Sequence, residues 1–165
     1  FLSGTYYFVG IAFFVLMLCP IIYLTIGIPS FFDNSAVYFF AFLPYIVLTT
    51  HVFYGALKKR HYNAKDLFLG QWLNVLACTV FMRASLAALI WVKISFGVTP
   101  TGKGSAMPLL RLWPQMTLWL ANFIAIVWGV NRYYYEMEPA IAVNSFWAFY
   151  HFLLLSGVFY FNRDT

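Results

Sequence analysis

Long apolar runs broken by short polar stretches organise this chain. From Tyr6 to Ile28 there is no charged residue. At about 1.5 Å per residue, that run is long enough to cross a hydrocarbon layer of about 30 Å. Pro20 predicts a kink in it. A turn over residues 29–35 holds Asp33 and no base. Residues 36–57 form a second run, with Pro44 as its kink. The stretch 58–66 then carries Lys58, Lys59, Arg60 and Lys65. Third and fourth runs follow at 109–131 and 140–161. Between them, residues 132–139 read as a turn in which Tyr133, Tyr134 and Tyr135 form an aromatic belt.

Residues 67–92 are long and apolar enough to span, yet they hold Gln71, Asn74, Arg83 and Ser85. An arginine deep in a bilayer costs about 2.5–3.5 kcal/mol on insertion scales. The basic flanks decide the placement. If 67–92 lies along one surface, Lys58, Lys59, Arg60, Lys65, Lys93, Lys103, Arg111 and Arg163 all share one side, and Arg132 alone takes the other. If 67–92 crosses, the bases divide almost evenly and Arg83 stays inside. Basic residues gather on the cytoplasmic side of membrane proteins, so the first arrangement is preferred. The segment is therefore read as an interfacial or re-entrant cytoplasmic helix.

The expected fold is an all-α integral membrane protein: four transmembrane helices, one cytoplasmic interfacial helix and a gating-type loop. Its units are residues 1–66 with two spans and the basic loop, 67–93 with the interfacial helix, 94–108 with the long loop, and 109–165 with two more spans. Both ends lie in the cytoplasm, in a cell (inner or plasma) membrane.

Composition agrees. Of 165 residues, 63% are hydrophobic and only 9% are charged, against about 25% charged in soluble domains. The net charge of +5 comes from clustered bases, which set topology rather than bind nucleic acid. Cys19 and Cys78 sit in apolar runs without CxxC spacing, so neither a disulfide framework nor zinc is expected. The chain starts at Phe1 rather than Met, and it is expected to be part of a longer polypeptide.

Candidate chemistry lies in three places. Arg111, Gln115, Trp119, Asn122 and Gly129 fall at helical steps on one face of the third run. Such a stripe serves either a polar lumen or packing between helices. Amides for hydroxyls and aromatic faces for sugar rings suit a polysaccharide path, and both readings stand. The fourth run adds Asn144, Trp147 and His151, again roughly on one face. His51 and His151 are two intramembrane histidines able to ligate a haem, or to serve as packing residues. No HExxH motif, paired carboxylates or phosphate-binding GxxxxGK[ST] loop occurs. No catalytic residue and no metal ligand is assigned within these residues.

The third place is the loop from Lys93 to Pro108. Three glycines, two prolines and two lysines without an acid exclude a regular helix and suit closure over an anion. Its Phe96-Gly97-Val98-Thr99-Pro100 resembles the FxVTxK motif of cellulose synthase-like, processive family-2 glycosyltransferases. The order of elements is similar to their membrane half, as is the opening Ser3-Gly4-Thr5-Tyr6-Tyr7. The likeness covers essentially the whole chain, and its specific part is the loop. The resemblance implies that the loop gates the sugar-nucleotide site, with Phe96, Val98 and Thr99 matching the motif. Thr101 stands at the motif's lysine position, and Lys103 lies two residues further on. It also implies a channel for a growing β-glucan, an NDP-sugar donor such as UDP-glucose, and Mg²⁺ (or Mn²⁺) in a catalytic domain preceding Phe1. The family's catalytic aspartates, its DxD metal site and its QxxRW motif are not in these residues. The stretch alone is then not expected to transfer sugar, and no cofactor is expected within it. A small transporter or channel subunit and a haem-binding subunit are the rival readings.

Overall fold

The computed structural model describes residues 8–29, 35–92 and 107–162. Those residues are mostly helical, joined by short turns, with no strand among them. The helices are α1 (Val9–Ile26), α2 (Ser35–Lys58), α3 (Ala64–Leu76), α4 (Cys78–Leu89), α5 (Trp113–Glu136), α6 (Pro139–Leu155) and α7 (Gly157–Phe161). A 3₁₀ turn, Leu109–Leu112, leads into α5. Three helical stretches are long and apolar enough to cross a membrane: Val9–Ile26, Phe40–Lys58 and Pro139–Phe161. The bent pair α3–α4 makes a fourth if it counts as one span.

The expected single helix over 67–92 is two helices meeting at 48°. They break at Ala77, whose N–H bonds back to Leu73 and Val75. No glycine or proline marks that position. What coincides with the bend is burial on both sides of it, because Leu76 and Cys78 both enter the core beside Met17.

The third run begins and ends later than expected. Residues 109–112 form the 3₁₀ turn, and α5 continues through Glu136. Residues 132–136, expected in an outer turn, are its last turn. An i,i+4 pair lies along the extension: Arg132 Nε is 2.7 Å from Glu136 Oε1. The chain then reverses at Met137, in the left-handed conformation at φ 50°, and Pro139 opens α6 in its first turn.

Helix α1 runs parallel to α5 and antiparallel to α6, and α5 with α6 form the most extensive contact. One core cluster gathers Met17, Leu76, Cys78, Leu118, Leu155 and Val158 near one end. A second gathers Tyr23, Leu24, Ala125, Ile141 and Ala148 nearer the other. At the tyrosine end, Arg132 donates to the Tyr23 carbonyl (3.1 Å) and lies over the Tyr23 ring, while the Tyr23 hydroxyl donates to Glu138 (3.3 Å). At the opposite, basic end, α3 packs against the C-terminal part of α6 and α7.

Polarity is distributed inside out over much of α4 and α5, with Arg83 and Asn131 exposed as exceptions. On α5, Gln115, Asn122 and Gly129 are buried, while Leu120, Ile124, Val127 and Trp128 are exposed. On α4, Thr79 and Ser85 are buried while Val80, Leu86 and Leu89 are exposed. Water as solvent penalises broad apolar exposure of this kind, and lipid does not. Polar side chains also close back on their own helices. Thr25, Thr49, Ser85, Thr117, Asn122, Asn144 and Ser156 each donate to the carbonyl four residues earlier. A polar group satisfied within its helix needs no water.

Candidate functional site

The α5 stripe is resolved into separate environments. Arg111 lies on the 3₁₀ turn and is exposed at the basic end. Gln115 is buried, and its Nε2 donates to the Leu76 carbonyl at 3.4 Å, tying α5 to the last turn of α3. Asn122 is wholly buried; its Nδ2 donates to Leu118 O, and its Oδ1 has no partner. Trp119 stacks on Phe152 with ring centres 5.0 Å apart, and its Nε1 donates to Ser156 Oγ at 2.9 Å. Gln115, Asn122 and Gly129 therefore share a buried face, as their spacing predicts. In this conformation that face is occupied by neighbouring helices.

On α6, Asn144 is half-buried and bonds back to Ala140. Trp147 and His151 lie one turn apart and border a cavity of about 430 Å³ between α1, α2 and α6. Its walls include Phe13, Met17, Phe42, Ile46 and Tyr150, with Val75 of α3 also lining it. His151 is nine-tenths buried, and its Nδ1 has no hydrogen-bond partner. His51, by contrast, is exposed on α2 and is not among the cavity's lining residues. The apolar wall residues carry no signal in a sequence this rich in them. Only Trp147 and His151 were identifiable beforehand.

The third region is the basic end. The α6–α7 break falls at Ser156, where Trp119 meets the hydroxyl and the Trp72 indole donates to the Leu154 carbonyl. Gly157 gives Trp72 its place: a Cβ there would stand 2.5 Å from the indole nitrogen. Asn162 then clamps Met107 in both directions, accepting from its N–H and donating to its carbonyl, each at 2.8 Å. The long loop thus rejoins the bundle at the end where α3 sits. Phe96, Val98, Thr99 and Lys103 lie outside the described residues.

Outside the candidate spans, the hydrogen bond from Arg132 holds the Glu136 carboxyl below its usual range. The same bond raises Arg132. Among the described residues, no group of three or more His, Cys, Asp or Glu side chains is placed to hold a metal ion. No family model, curated protein or solved structure matches the chain.

Proposed function

We propose that this chain is the channel-and-gate half of a processive, cellulose-like β-glycan synthase in a cell membrane. The catalytic domain, with its NDP-sugar and divalent metal, precedes Phe1 in this reading. The inside-out polarity of α4 and α5 supports the membrane setting. The observation that carries the rest is the Asn162–Met107 clamp. It holds Met107, the first described residue after the loop, against the end of α7, at the end of the bundle bearing Lys58, Lys59 and Arg60. The FxVT sequence belongs to the loop that ends there, and in this reading it meets the sugar diphosphate that a cytoplasmic catalytic domain presents.

In this reading Phe96 and Val98 dock into the occupied cleft. Burial of a Phe side chain offers about 1.5–3 kcal/mol towards closure. Thr99 supplies a hydroxyl and an amide to the diphosphate, and Lys103 adds charge from the rim. Closure excludes water from the reactive donor and completes the site only when substrate is present. In this reading Arg111 contacts the polymer at the basic mouth, and Gln115, Trp119, Asn122 and Asn144 do so only when the helices now packed on them part. Trp147 and His151 face the separate apolar cavity.

The test is NDP release and polymer yield by the full-length enzyme in nanodiscs. Thr99→Ala lowers kcat, Phe96→Ala also weakens closure, and Lys103→Ala does less. Normal rates in both the Phe96 and Thr99 variants, at normal expression, would make the loop a plain connector. If Trp119→Ala and Asn122→Leu both elongate polymer at the parental rate, the α5 stripe serves packing only.

A further inference from the structure

The cavity between α1, α2 and α6 is an unusual place for a histidine. Its volume of about 430 Å³ lies within the range of about 300–1,000 Å³ typical of small-molecule sites. Aliphatic and aromatic side chains form most of its wall, from Phe13 and Met17 on one side to Phe42 and Ile46 on the other. Helix α2 stands off from the core, and none of its 40–58 window is buried within the bundle. Its ties are few, among them the Phe42–Trp147 ring contact at 5.8 Å and the Tyr54 bond to Gln71 at 3.2 Å. His151 lines this wall and is nine-tenths buried; its Nδ1 has no partner and is shielded from the cavity, so a ligand reaches it only when the ring turns. An imidazole offers a donor or an acceptor from each nitrogen, and leaving one unmatched in a dry site is costly.

We infer that the cavity binds a single-chain amphiphile, a long-chain fatty acid, whose chain lies among Phe13, Phe42 and Ile46 and whose carboxyl hydrogen-bonds the His151 imidazole. A largely apolar wall with its polar groups gathered at Trp147, Tyr150 and His151 of α6 calls for an apolar body with one polar end. A carboxylic acid both donates and accepts, so it matches either tautomer of the ring. A glycan fits this wall poorly, because each hydroxyl would lose its water without a partner. The inference does not depend on the synthase reading.

The test uses the full-length protein in nanodiscs and a photoactivatable diazirine analogue of palmitic acid, with labelled peptides mapped by mass spectrometry. Saturable labelling is expected on the stretches 42–46 and 146–154, competed by palmitic acid more strongly than by hexadecane. His151→Leu should weaken competition by the acid about three- to tenfold, the worth of one hydrogen bond. It should leave competition by hexadecane unchanged. Ile46→Trp, which fills the cavity from α2, should remove labelling at these sites. Circular dichroism of both variants confirms that they fold. Unsaturable labelling spread over all lipid-facing residues would overturn the inference, as would equal competition by acid and alkane in the parent protein. Unchanged acid affinity in a folded His151→Leu would overturn it too. Absence of polymer synthesis by the parent protein, with saturable labelling intact, would count against the synthase reading alone.

Discussion

Helices α2 and α5 are both 24 residues long, and they use their residues in opposite ways. Helix α2 is apolar enough to cross a membrane over Phe40–Lys58, yet nothing in that window is buried in the bundle. Helix α5 carries Gln115, Asn122 and Asn131 and is not among the helices that meet the apolar criterion. It nevertheless supplies Leu118, Ala125 and three buried small or polar residues to the centre of the molecule. Mean hydropathy measures a helix's suitability for lipid. It does not measure its share of the core, because between membrane helices the close contacts come from small and polar groups.

Glycines break this contrast most sharply. A Cβ on Gly10 of α1 would stand 2.6 Å from the Cys78 carbonyl oxygen and 2.7 Å from the Met82 nitrogen, both backbone atoms of the α4 segment. Gly10→Ala should cost about 1–3 kcal/mol through forced separation of α1 and α4. Gly55→Ala on α2 meets nothing within 4 Å and should be neutral or gain about 0.5–1 kcal/mol from helix propensity. Thermal unfolding of the two variants in detergent gives the comparison. Equal melting points would mean that α4 does not rest on α1.

Next in size are the indole hydrogen bonds at the basic end. Trp119→Phe keeps most of the stacking on Phe152 and loses the bond to Ser156, which should cost about 0.5–1.5 kcal/mol. Phe53→Leu on α2, where Phe53 is exposed, should change stability by less than about 0.5 kcal/mol. Chemical denaturation of the purified protein measures both, and a larger loss at Phe53 would reverse the assigned roles of the two helices.

The smallest effect belongs to Glu136, which is solvent-exposed. Its carboxyl is held low by Arg132. Any stability it adds is therefore present above the ordinary Glu range and is lost as pH falls through the lowered value. Glu136→Gln should remove that pH dependence and shift melting only slightly, since exposed pairs contribute little. A pH series of melting curves for the parent and the variant checks this, and an unchanged acid-side slope would show that the pair is inert.

Much of the architecture can be read along the chain, and the exceptions have physical causes. The apolar runs locate α1, α2 and α6, because length and lack of charge suffice for a candidate span. Spacing alone aligns Gln115, Asn122 and Gly129 on one face. The bend at Ala77 is invisible locally, since it arises where Leu76 and Cys78 enter a core built from distant helices. The extra turn of α5 carries the Arg132–Glu136 pair, readable only once the helix is known to continue. The cavity has no signature, because a gap between helices is a property of packing and not of any residue that lines it. Trp147 and His151 stand out in the sequence, with Asn144, as a face for a lumen or for packing, and not as the wall of a cavity.

We propose that the loop after α4 faces the cytoplasm and that the tyrosine end of α5 faces outside. Single cysteines at positions 103 and 135, in a background with Cys19 and Cys78 replaced by serine, test it in intact cells with a membrane-impermeant maleimide. Labelling of position 135 from outside, and of position 103 only after permeabilisation, is the predicted result. External labelling of position 103 would contradict it, placing the loop on the wrong face to gate a cytoplasmic sugar-nucleotide site.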